Sequence, residues 1–163
     1  MMATETDPWR QAPGIVTLPN GISVRGRGLR RPPPPGRQPT LGLYLTGFPP
    51  CVQAWMSDWI CWPDFLVPFD WQEARSKLIA AYTAAIQERV EVACSGGKGR
   101  TGTALACLAV LAGLEPWQAI GFIRRHYHPC AVEVPWQGWF VHWFARTSTS
   151  QSGGGEGCPI KRC

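Results

Sequence analysis

Residues 90 to 111 constrain this chain more than any other stretch. Val90 and Val92 alternate with Glu91 and Ala93, so Arg89 to Ala93 reads as a strand, and it runs straight into a turn, Cys94 to Gly102, that holds four glycines. The segment beyond, Thr101 to Leu111, is rich in Ala and Leu on every side, which predicts a helix packed centrally, with Gly113 placed for a left-handed C-terminal cap. A strand that feeds a buried helix through so short a turn belongs to an α/β layer.

The neighbouring segments fit that layer. Thr40 to Thr46 reads as a buried strand closed by Gly47 and Pro49-Pro50, and Trp59 to Trp62 as a short strand after a helical turn at Val52 to Ser57. Asp70 with Glu73 forms a capping-box-like helix start, and Trp71, Ala74, Leu78, Tyr82, Ala85 and Ile86 recur at helical spacing to about Gln87. Two further helices open with proline, one from Pro116 to about His126 and one from Pro135 that carries Trp136, Trp139, Phe140, Trp143 and Phe144. The expected fold is α/β, a compact central sheet of about four to five mostly parallel strands flanked by helices.

At 163 residues, with 45% apolar and 17% charged residues, the chain suits one domain plus surplus. Its longest apolar run, Ala104 to Leu114, is about half of a membrane span. Met1 to Arg10 lacks the apolar stretch of a signal sequence, so a cytoplasmic protein with reduced thiols is expected despite seven cysteines. Of the net charge of +5, residues 1 to 38 carry +4, beside Pro32 to Pro35. That arm reads as a solvated, partly extended lead-in, or else as a site for acidic partners; nucleic acid is not the expected partner. The tail from Thr147 is Ser-, Thr- and Gly-rich and cannot bury enough apolar surface to offset its ordering entropy. The expected division is a basic segment at 1–38, a domain at 39–146 and a flexible tail at 147–163.

The glycine turn also carries the chemistry. In Cys94-Ser95-Gly96-Gly97-Lys98-Gly99-Arg100, the glycines let successive N–H groups turn inward as an anion-binding nest, and the following helix adds the positive end of its dipole. Arg100 supplies a planar fork matched to two phosphate oxygens. A thiol over such amides should lose its proton readily and become a nucleophile, which singles out Cys94. Two other motifs overlap these residues. The dinucleotide pattern G-x-G-x-x-G matches Gly97 to Gly102, but Phe122 stands where its acidic residue belongs; the nucleotide P-loop pattern fails because Gly99 follows Lys98. The oxygen that leaves phosphorus needs a proton, and Asp64 in Trp62-Pro63-Asp64 is the candidate acid, with Asp58 and Asp70 as rivals.

Cys94 to Gly102 together with Trp62-Pro63-Asp64 resembles the cysteine-dependent protein tyrosine and dual-specificity phosphatases, with their C-x5-R-[ST] signature and mobile W-P-D loop. The likeness spans about residues 40 to 146. It implies that Cys94 forms a cysteinyl-phosphate, that Arg100 holds the phosphoryl group and that Asp64 acts as acid, then base. It also implies that Thr101 donates to the departing thiolate, that Gln137 positions the hydrolytic water, and that Ser95, Gly96, Gly97, Lys98 and Gly99 bind phosphate. No metal or organic cofactor is implied, and phosphorylated protein is the expected substrate. The family usually has His before the cysteine, where this chain has Ala93, so a non-catalytic phosphate reader is the alternative. Lys98 is similar to the loop lysine of phosphoinositide phosphatases and makes lipid phosphate a further one.

Elsewhere, His126, His128 and Cys130 stand close together and Cys158 pairs in sequence with Cys163, but neither spacing is a zinc pattern. Cys51, Cys61 and Cys107 read as small apolar packing residues, any of which is a conceivable disulfide partner for oxidised Cys94. Arg124 and Arg125 read as a wet helix face or as steering charges.

Overall fold

The computed structural model describes residues 9–51 and 53–149. Five strands, β1 (Ile15–Thr17), β2 (Ser23–Gly28), β3 (Leu41–Thr46), β4 (Met56–Cys61) and β5 (Val90–Cys94), form one sheet in the order β1-β2-β5-β3-β4. Only β1 runs antiparallel, against β2; the other pairs are parallel. The described residues also form four helices, α1 (Trp71–Ala85) between β4 and β5, then α2 (Gly99–Leu111), α3 (Pro116–His126) and α4 (Pro135–Thr149) after β5. The chain therefore adopts the compact, mostly parallel α/β fold expected of it.

Strand β5 lies at the centre of the sheet, and all five of its residues are buried. Side chains alternate along a strand, so Val90, Val92 and Cys94 join the apolar core, together with Leu43 and Leu45 of β3 and the buried stripe Ala74, Leu78, Ala81 and Ala85 of α1. The intervening Glu91 faces the other side. Helix α2 is buried from Gly99 to Ala109, in keeping with its lack of a polar face. Helix α4 closes the core with Phe140, which meets Trp62 edge-on at 5.4 Å and Trp71 at 5.2 Å. Each such fully buried side chain contributes about 1.5–3 kcal/mol of transfer free energy. Among the described residues no helix is long and apolar enough to cross a membrane.

Three local expectations are corrected. Residues 15–28 are not a solvated lead-in but two strands of the sheet, because Arg25 and Arg27 of β2 find a buried carboxylate, Glu91, on the paired strand. Nε of Arg25 donates to Glu91 at 2.7 Å, Nη2 of Arg27 donates at 2.9 Å, and Trp9 stacks on Arg25 at 4.4 Å. The helical turn at Val52 to Ser57 is absent over its described residues; Met56 and Ser57 already pair with β3, and Val52 lies outside the described residues. Thr147 to Thr149 extend α4 rather than begin a tail, since Arg75 of α1 donates to the Thr147 hydroxyl at 3.0 Å and to its carbonyl at 3.1 Å. The rest of the tail, with Cys158 and Cys163, lies outside the described residues.

Candidate active site

Parallel α/β sheets open their ligand sites at the carboxyl ends of the strands, and Cys94 is the last residue of β5. Its side chain is 2% exposed, and the Gly97 N–H donates to its Sγ at 3.2 Å. Gly97 bends the loop back at φ +72°, where a Cβ would come within 2.7 Å of the Gly28 Cα, so the turn requires glycine on two counts. Strand β2 thus backs the loop. Beyond its end, the Leu29 N–H donates to the Cys94 carbonyl at 2.8 Å and the Arg30 N–H to that of Ser95 at 3.1 Å.

The loop has a second support. The Tyr127 hydroxyl donates to the Gly97 carbonyl at 2.5 Å, and its ring fills the space over Gly26, which a Cβ there would invade. Burial holds this phenol well above the ordinary tyrosine range, and the nearby Cys94 and Glu91 side chains push in the same direction, so Tyr127 remains a donor at neutral pH. With Ala93 before the cysteine, a residue 33 positions downstream supplies a side-chain donor to the loop.

Arg100 is 3% exposed in the first turn of α2. Its Nη1 donates to the Trp62 carbonyl at 2.9 Å and its Nη2 pairs with Asp64 at 3.0 Å. Its Nε and the hydroxyl of fully buried Thr101 have no protein partner among the described residues. A buried polar atom without a partner is costly, and both of these lie on α2 at or next to the nest.

The Asp64 segment is held from two sides. Trp62 donates to the Leu66 carbonyl at 2.7 Å from within, while Trp136 donates to the Phe65 carbonyl at 2.6 Å from α4. Gln137 is fully buried; its amide nitrogen reaches the Leu66 carbonyl at 3.3 Å and its oxygen accepts from the Glu133 N–H at 3.0 Å. Both ends of that side chain grip backbone of the loops around the site. Phe65 adopts φ +58°, an uncommon value for a bulky residue, directly after the half-exposed Asp64.

One cavity of about 310 Å³ brings most of the expected residues together: Cys94, Ser95, Gly96, Lys98, Gly99, Arg100 and Asp64 line it. Gly97 lies behind the loop, and neither Gln137 nor Thr101 lines the cavity. Four further side chains do that were not singled out as site residues: Arg30, Arg31, Phe65 and Glu133. Phe65 adjoins a flagged residue, but Glu133 carries no local signal, and Arg30 and Arg31 read only as members of a basic arm that is either a lead-in or a site for acidic partners.

The rival assignments fall to other duties. Asp58 pairs with Lys77 at 3.0 Å, and Asp70 caps α1 by accepting from the Glu73 N–H at 2.9 Å. The His126 ring lies 4.3 Å from that of Phe122, and His128 accepts from the Cys130 N–H at 3.0 Å. Arg124 is not a free steering charge, since it donates to the carbonyls of Ala131 and Val132 at 3.0 and 2.9 Å. Burial pushes the Cys107 thiol well up and leaves it no access to the cavity.

Comparisons with known proteins identify a family and a fold. The family described as "Swiss Army Knife protein, DSP-PTPase phosphatase domain" (PTP-SAK) matches residues 43–130. Two uncharacterised proteins of Methanocaldococcus jannaschii, MJ0215 and MJECL20, are 43% and 45% identical over 60 residues, 37% of this chain. The chain matches 36% and 40% of their respective lengths. Among solved structures, Tk-PTP in its active form superposes with a TM-score of 0.57 at 20% identity, over 65% of this chain and 77% of that one. A glycine-to-alanine mutant form of Tk-PTP gives 0.58 at 18% identity, over 68% and 78%. Those two likenesses show the fold.

Proposed function

Because the chain belongs to the PTP-SAK family of DSP-PTPase phosphatase domains, we propose that it hydrolyses phosphate monoesters in two steps through Cys94. The observation that carries this reading is that the Cys94 sulfur, the Arg100 guanidinium and the Asp64 carboxyl meet in one small polar cavity at the mouth of a glycine nest.

In the first step the Cys94 sulfur attacks phosphorus, an S–P bond forms as the ester O–P bond breaks, and Asp64 hands its proton to the leaving oxygen. The Arg100 fork and the nest amides hold the three equatorial oxygens, and the partnerless Nε is a donor suited to one of them. In the second step water attacks the cysteinyl-phosphate, Asp64 takes up a proton, and the S–P bond breaks to release inorganic phosphate and the thiolate. The Thr101 hydroxyl, buried beside the nest, serves that departing sulfur. Gln137 acts on this scheme through the Asp64 and Glu133 loops it ties together. Phosphorylated protein is the leading substrate class, in a cytoplasmic setting, with the sheet from β1 onward and helices α1 to α4 together as the catalytic unit.

The test is turnover of para-nitrophenyl phosphate by the full chain in EDTA. Wild type should turn over, Cys94→Ser should not, and Asp64→Ala should fall by about 10²–10⁴-fold, the range for loss of a general acid. Orthovanadate binding with no turnover in wild type would make the chain a phosphate reader instead.

A further inference from the structure

We propose that Arg30 and Arg31 form a second anion subsite beside the Cys94 cradle, so that the preferred substrate carries a second phosphate close to the one removed. This inference rests on the phosphatase reading and specifies its substrate class.

Four arginines follow one another within seven residues of β2 and its continuation, Arg25, Arg27, Arg30 and Arg31, and they divide cleanly. The first two are buried and bond Glu91 and backbone carbonyls, and on Arg27 only Nε is left without a hydrogen-bond partner among the described residues. The second two are exposed, and both line the cavity that holds Cys94 and Arg100. No ion pair or side-chain hydrogen bond engages either guanidinium among the described residues. Their backbone, by contrast, is pinned. The Arg30 N–H donates to the Ser95 carbonyl at 3.1 Å, the Arg31 N–H to that of Gly28 at 3.2 Å, and Arg27 reaches the Arg31 carbonyl at 3.4 Å. Two uncommitted planar forks are thus carried at a fixed place beside the phosphate loop, the arrangement that selects a second phosphate over a neutral group.

The charge around the cavity suits an anionic ligand. Arg100 is engaged with Asp64, and the exposed Glu133 offsets one further cation. Arg30, Arg31 and Lys98 still leave an excess of positive charge around a pocket of about 310 Å³. The arginines and Ser95 also wall an adjoining cleft of about 590 Å³, lined by Pro32, Pro49 and Phe48, into which the remainder of a substrate extends.

The experiment compares kcat/KM for two matched pairs, an inositol bisphosphate with its monophosphate and a doubly with a singly phosphorylated peptide of one sequence. Wild type should favour the doubly charged member of at least one pair, and that pair names the source of the second phosphate. Arg30→Gln/Arg31→Gln should cut that preference about tenfold, the scale of hydrogen bonds to charged groups. Arg10→Gln/Arg125→Gln, which removes the same charge from other exposed positions, should leave it as in wild type. A wild type without preference in either pair, or an equal loss in both double variants, would overturn the subsite. If wild type turns over nothing, the phosphatase reading itself fails, and calorimetry on Cys94→Ser still decides the subsite. There the inositol bisphosphate should bind more tightly than the monophosphate, and the Arg30→Gln/Arg31→Gln changes should erase the difference; equal binding overturns the proposal.

Discussion

Strands β2 and β5 build two charged centres on opposite faces of one sheet. On one side Glu91 is fully buried between Arg25 and Arg27, with the Tyr44 hydroxyl at 3.5 Å. On the other side, at the strand end, Arg100 is as deeply buried but lines a cavity; its Nε, like the Arg27 Nε of the first centre, has no hydrogen-bond partner among the described residues. The first centre sets two guanidinium ions on one carboxylate away from the Cys94 cavity, so its pairing serves the register of the strands. The second places its guanidinium in a cavity wall next to a sulfur atom, where a ligand can reach it. Neither burial nor a partnerless Nε tells the two apart; a place in the cavity wall does.

The comparison breaks if the two centres respond alike to losing a charge. Glu91→Gln strands two buried guanidinium ions and should cost about 3–5 kcal/mol, read as a fall in the denaturation midpoint. Activity per folded molecule should remain, because no atom of Glu91 lines the cavity. Arg100→Lys should do the reverse. A lysine cannot reproduce the fork, so kcat should fall about 10²–10³-fold, as for loss of a preorganised donor, while the denaturation midpoint moves little. A large stability loss in Arg100→Lys, or a matching loss of kcat in Glu91→Gln, would erase the distinction.

How far the sequence discloses each centre follows from the range of the interactions. The cradle is nearly local: a strand, a nest and a helix start fall within a dozen residues, and each leaves its own mark in glycines, alternation and apolar periodicity. Asp64 is legible because Trp62 and Pro63 sit beside it. The Glu91 centre is not, since Ser23-Val24-Arg25-Gly26-Arg27-Gly28 has two glycines and two arginines where a strand usually shows apolar alternation. Its sense appears only once the register sets Arg25 opposite Glu91. One local signal does exist, Asn20-Gly21 between the apolar residues Ile15 to Leu18 and Ile22 to Val24, a hairpin pattern that the surrounding arginines mask. Tyr127 and Arg30 are harder still. Their importance depends on which backbone lies against them after folding, which composition and spacing do not encode.

Two smaller effects sharpen the contrast by touching the seam between the centres, where β2 backs the phosphate loop. Gly97→Ala puts a Cβ at φ +72° against Gly28 and displaces the N–H that reaches the Cys94 sulfur. A left-handed alanine costs about 1–2 kcal/mol before the clash is counted, and turnover should fall at least about tenfold with the lost hydrogen bond.

Tyr127→Phe removes one neutral hydrogen bond, to the Gly97 carbonyl, and should lower stability by about 1 kcal/mol at neutral pH. Its sharper signature is at high pH. Burial, with the nearby Cys94 and Glu91 side chains, makes the folded protein hold the Tyr127 proton more tightly than the unfolded chain, whose phenol titrates near 10.0. Below that value both states keep the proton and stability is flat. Above it the unfolded chain sheds its proton while the folded protein does not, so stability falls by up to about 1.4 kcal/mol per pH unit for this group. Tyr44, raised chiefly by its own burial, adds a contribution of the same sign. Urea denaturation between about pH 9 and 11.5 should therefore give a declining curve in wild type and a shallower one in Tyr127→Phe. Equal slopes would mean that Tyr127 ionises as an ordinary solvent-facing phenol, and a phenol free to ionise cannot be the fixed donor that braces the loop under Cys94.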